Sequence, residues 1–92
     1  MKNRIIKYEK IFDEIESCYN NLEKAFYSFK DKEQLLKELN NYYGSSNWYK
    51  DVEDYDNNNM DIKAGVLSQD GVWNLLEKIS ELKSEIKEYL DN

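Results

Sequence analysis

From Ile5 onward the apolar residues step by three and four: Ile5, Tyr8, Phe12, Ile15, Tyr19, Leu22, Phe26 and Phe29. That spacing predicts a long helix over about residues 3–30. Ile11, Cys18 and Ala25 widen the stripe by one flanking position per heptad, the pattern of a helix facing a broad core rather than a narrow two-stranded seam. Five of the eight stripe residues are aromatic, which argues further against a leucine-zipper dimer.

Asp31-Lys32-Glu33-Gln34 reads as an N-cap with a capping-box partner three residues on. A second helix follows with Leu35, Leu36, Leu39, Tyr42 and Tyr43, and Gly44 is suited to end it in a left-handed cap. A continuous helix through residues 30–33 is the alternative. Ser45-Ser46-Asn47 offers a new N-cap for a short helix through Trp48, Tyr49 and Val52, extending toward Tyr55. Residues 56–59, Asp-Asn-Asn-Asn, are polar and turn-prone and are the best linker candidate. Residues 61–64 are expected to form one helical turn closed by Gly65, with Val66 and Leu67 as an apolar step beyond it.

Ser68 is placed to cap the last helix, with Asp70 in its first turn. Its stripe is Val72, Leu75, Leu76, Ile79, Leu82, Ile86, Tyr89 and Leu90, while Glu77, Lys78, Glu81, Lys83, Glu85, Lys87 and Glu88 occupy the solvated face. A first helix of about 28 residues is ~42 Å long. A compact sphere of this chain has a diameter of about 32 Å, so the long helix either kinks, protrudes, or packs lengthwise against an equally long partner, for which the last helix, about 23 residues, is the choice. The expected fold is therefore all-α, a single helical domain spanning residues 1–92. Two long antiparallel helices, about 3–30 and 68–91, are joined by short helices and an acidic aromatic loop.

Composition narrows the chemistry. The chain carries 13 Lys and Arg against 19 Asp and Glu, a net charge of −6, which disfavours direct nucleic-acid binding. It has no histidine, which excludes imidazole general bases, Ser-His and Cys-His pairs and any zinc site with a His ligand. Cys18 is the one cysteine, so no intrachain disulfide or CxxC pair exists, and a reducing compartment fits. The basic start at Lys2 and Arg4 lacks a following apolar run, because Lys7, Glu9 and Lys10 interrupt it. No stretch is long and apolar enough to span a membrane, so the expected localisation is cytoplasmic. A core of this size is modest, which leaves self-association open.

Two segments go beyond generic helix. Residues 42–51 read Tyr-Tyr-Gly-Ser-Ser-Asn-Trp-Tyr-Lys-Asp, and residues 62–76 contain Lys63, Gly65-Val66-Leu67-Ser68, Asp70, Val72 and Leu75-Leu76. Together they resemble the small bacterial and phage family called domain of unknown function 4298, in order along nearly the whole chain. Asn59-Met60 stands where members tend to carry a Leu-Pro pair before the Lys63-like residue, and this chain has no proline. The resemblance implies a helical unit of bacterial or phage origin; it implies no catalytic residue and no substrate.

The acidic segment Asp51, Glu53, Asp54, Asp56 and Asp61 fails the calcium-loop template, since Asn59 sits where the turn needs Gly and Gly65 where the bidentate Glu belongs. No metal, cofactor or catalytic residue is expected. Tyr43, Trp48 and Trp73 are read as a mini-core, with Tyr49 and Tyr55 as exposed aromatics. The expected function is that of a non-enzymatic regulator or inhibitor that binds a protein partner through Tyr49, Tyr55, Asp51, Glu53, Asp54 and Asp56. One alternative is an anti-CRISPR-like inhibitor that mimics nucleic-acid charge, because residues 44–65 and 66–92 each carry a net −3 while residues 1–43 are neutral. A cation-dependent enzyme is the third reading.

Overall fold

The computed structural model describes residues 1–92, and its regular elements are all helical, with no strand. Its elements are α1 (Lys2–Lys30), α2 (Glu33–Tyr42), α3 (Ser46–Asn58), a 3₁₀ turn (Gly65–Leu67) and α4 (Gly71–Asp91). The chain divides into two units, Met1–Leu36 and Lys37–Asn92.

In the first unit the spacing of three and four is realised as the unbroken helix α1. None of its residues is buried, and Ile15 keeps 64% of its surface. A single long helix has no second element of its own to cover an apolar stripe. What α1 does make are local contacts along its surface. The Tyr19 hydroxyl donates to Glu23 Oε2 one turn on, at 2.6 Å, which raises the Tyr19 pKa above the ordinary phenol value. Lys30 Nζ lies 5.8 Å from the Phe26 ring centre, in the last turn where a cation also suits the helix dipole.

The break between α1 and α2 differs from the capping box expected at Asp31. Asp31 keeps a right-handed helical conformation, and its N–H donates to the Tyr27 carbonyl at 3.0 Å. Lys32 N–H bonds instead to Phe29, and the Lys32 carbonyl accepts the Leu36 N–H at 2.8 Å. The junction is thus a tightened helical turn of two residues, intermediate between a full break and a continuous helix.

The second unit builds its core around Trp48 and Val72, each only 5% exposed. Gly44 ends α2 at φ +77°, a left-handed conformation that a side chain would strain. Ser45 then turns the chain: its hydroxyl donates to the Tyr42 carbonyl at 2.6 Å and accepts the Trp48 N–H at 3.2 Å, capping α3. The cap delivers Trp48 inward. Its indole N–H donates to the Val66 carbonyl at 3.0 Å, and its ring meets Tyr43 edge-on at 5.2 Å. The Tyr43 hydroxyl in turn donates to the Gln69 carbonyl at 2.8 Å. Burying an indole of roughly 200 Å² contributes about 5 kcal/mol before the entropy cost, and the Nε1 bond keeps its polar edge satisfied.

Residues 65–71 form a second compact turn. The Ser68 hydroxyl donates to the Gly65 carbonyl at 2.8 Å and accepts the Gly71 N–H at 3.0 Å, but the N-cap of α4 is Asp70, whose side chain makes no cap bond, and not Ser68 with Asp70 in the first turn as expected. A Cβ on Gly71 would stand 2.9 Å from the Gly65 carbonyl oxygen and 2.6 Å from Ser68 Oγ. Glycine there lets the turn close and sets Val72 against the core. The stripe of α4 is divided: Leu76 and Ile79 are half-buried, whereas Leu82, Ile86, Tyr89 and Leu90 are exposed.

Four other expectations are corrected in this unit. The acidic aromatic segment is mostly helix rather than loop, and the linker expected at residues 56–59 is the last turn and cap of α3. Asn59 takes the left-handed conformation (φ 51°, ψ 47°) that glycine usually supplies, and Asn58 Nδ2 donates to the Asp54 carbonyl at 2.9 Å. The single turn expected at residues 61–64 lies instead at Gly65–Leu67, so Gly65 opens it rather than closing it. Trp73 is 53% exposed and not part of the mini-core; its neighbour Val72 takes the inward position.

Candidate functional site

The helix α3 sorts the expected site residues onto two faces. Asp51, Asp54 and Tyr55 recur at three and four residues, so they share one side. Tyr49, Glu53 and Asp56 follow the same spacing on the opposite side. The six residues therefore do not form one patch. Tyr49 is 63% exposed, and Glu53 and Asp56 are exposed with it. Tyr55 is half-buried rather than exposed, because its side of α3 lines a cleft.

That cleft has a volume of about 290 Å³. Tyr42, Asp51, Asp54 and Tyr55 form one wall. The connection after α3 supplies the rest through Met60, Ile62, Lys63, Ala64, Val66 and Leu67. The Tyr42 hydroxyl donates to Asp51 Oδ2 at 2.6 Å, fixing one carboxylate oxygen. The same bond, with some desolvation, holds the Tyr42 pKa above its ordinary value of 10.0. Tyr42 keeps its proton at neutral pH, as any phenol does, and is the donor in this bond. No group of three or more Asp, Glu or Cys side chains converges in a geometry that could hold a metal ion.

Sequence reasoning missed most of the cleft. Lys63, Ile62 and Val66 belong to a segment read as motif and turn, and Tyr42 is read only as part of the second helix and the head of the first distinctive segment. The available signal was spacing between ends: Tyr42 and Asp51 open and close the first distinctive segment, and they are bonded to each other. The two distinctive segments are also joined by the Trp48 bond to Val66 and the Tyr43 bond to Gln69. These segments are thus the structural centre of the second unit.

The family model described as domain of unknown function (DUF4298) matches residues 5–91, from the start of the α1 stripe to the last residue of α4. The chain belongs to this family. No curated protein and no solved structure matches it. In this DUF4298 chain no helix is long and apolar enough to cross a membrane.

Proposed function

We propose that the protein is a non-enzymatic, cytoplasmic regulator or inhibitor that works by binding a protein partner through α3 and the segment around it. The observation that carries this reading is the outer face of α3. There Tyr49 offers a large ring to solvent beside Glu53 and Asp56, although Trp48 next to it is buried. A tyrosine held edge-on against the core Trp48 ring at 4.9 Å, yet largely open to solvent and flanked by charge, has the composition of an interface hot spot.

The long apolar stripes fit the same picture if α1 and α4 cover each other antiparallel.

The test is capture of a partner from a bacterial lysate by the tagged full chain and by Tyr49→Ala. The variant should keep the parent's circular dichroism and melting, yet lose binding by about 1–2 kcal/mol or more. Absence of any specific partner would sink the reading. Normal binding by Tyr49→Ala, with loss on neutralising Glu53 and Asp56, would replace the aromatic hot spot by charge alone.

A further inference from the structure

The cleft on the inner side of α3 has a chemistry of its own. Two carboxylates, Asp51 and Asp54, stand one helical turn apart on the wall of a pocket whose remaining surface is largely apolar. Side chains at that spacing have Cβ atoms about 5–6 Å apart, a distance that one planar group with several donors can bridge. Tyr42 occupies Oδ2 of Asp51 and leaves the other oxygen open. Tyr42 and Tyr55 bring two aromatic rings to the lining, and Ile62, Val66 and Leu67 bring aliphatic surface for methylene groups.

We infer that this cleft receives an arginine side chain presented by a protein partner. The inference rests on the partner-binding reading above, adds the cleft side of α3, opposite Tyr49, to the surface that the partner engages, and names the group it inserts there. Arginine fits each feature separately. Its guanidinium has five donors in a plane and can reach two carboxylates, it stacks on tyrosine, and its stem is apolar. Lysine carries a compact, strongly hydrated charge that neither stacks nor bridges as well. Lys63 lines the same cleft and forms no ion pair with Asp51 or Asp54, so both carboxylates are available while its charge opposes a second cation. That opposition supplies a test with two signs.

The experiment titrates the full-length chain, labelled with ¹⁵N, with N-acetyl-arginine methylamide, and with the citrulline and lysine analogues as controls. Saturable amide shifts confined to residues 42, 51–55 and 62–67 are expected with the arginine probe, much weaker ones with lysine and none with citrulline. Asp54→Asn should weaken the arginine probe about tenfold, as loss of a charge-assisted bond does, and Lys63→Gln should tighten it severalfold. Unchanged dispersion of the remaining amides in each variant establishes that the fold is kept. Equal shifts with citrulline, shifts elsewhere, or a Lys63→Gln variant that binds more weakly would overturn the inference. Because the probe is a small molecule, its failure removes the arginine cleft alone, whereas failure to capture a partner removes the reading on which it rests.

Discussion

The two units of this chain obey the same periodicity and use it differently. In α1 eight apolar residues at strict helical spacing make a stripe, and not one of them is buried. Residues 37–92 have a less regular pattern, broken by Gly44, Asn59, Gly65 and Gly71, yet they alone contain buried side chains. The breaks produce the difference. A core needs elements arriving from several directions, and each break redirects the chain so that Tyr43, Trp48, Val66 and Val72 can converge, with two indole and phenol bonds tying the turns together. A stripe identifies which face of a helix is apolar; only a change of chain direction within reach supplies its cover.

The largest effect that sharpens this contrast is expected from Trp48→Ala. It removes the buried ring and its bond to Val66, and it should cost about 3–5 kcal/mol, with loss of amide-exchange protection in α3 and the first turns of α4. Retained protection there would show that the core of the second unit lies elsewhere. A smaller effect is expected from Ile15→Asp, which probes the proposed cover of α1. If the proposed pairing holds, a charge at this position should lower the melting temperature by an amount equivalent to about 1–3 kcal/mol. An unchanged melt would mean that the stripe faces water and that α1 and α4 do not pair.

The smallest effect belongs to the Tyr42 bond. The folded-state pKa of Tyr42 is raised above 10.0, so the protonated phenol is the form that the fold favours. Its stabilising contribution is fully present below pH 10 and is lost as pH rises through the folded value. Tyr42→Phe should therefore melt slightly below the parent at pH 8, and the two curves should converge at higher alkaline pH. The pair is open to solvent, which keeps the difference small. A gap that persisted undiminished into strong alkali would assign it to packing of the ring edge instead of the Asp51 bond.

What could be read from the sequence was what is decided locally. Gly44 and Ser45 were legible because a left-handed cap and a hydroxyl cap depend on one residue and its immediate neighbours. Residues 56–59 were misread because asparagine serves both purposes: Asn58 continues α3 while Asn59 ends it in a glycine-like conformation. The choice of Val72 over Trp73 was not legible either. It is set by where the turn at Gly65 and Ser68 releases the chain into α4, a matter of three-dimensional direction rather than of hydrophobicity, on which tryptophan would have been the natural choice. The division of the expected binding residues between two faces of α3 followed from helix geometry once that segment was known to be helical as far as Asn58. The cleft was not legible, since half its lining comes from a connection without regular periodicity.

The environments of the two tryptophans have an optical consequence. Trp48 is enclosed, with its indole N–H bonded to a carbonyl, and Trp73 is half exposed on α4. Under selective excitation the first should emit toward the blue and resist collisional quenching by iodide, and the second should emit toward the red and be quenched. Single replacement of each by phenylalanine would separate the two signals. One chain thus carries a built-in reporter of its folded centre and another on the surface of its last helix, and a partner that covers α4 would be seen as protection of the red component while the blue one stays unchanged.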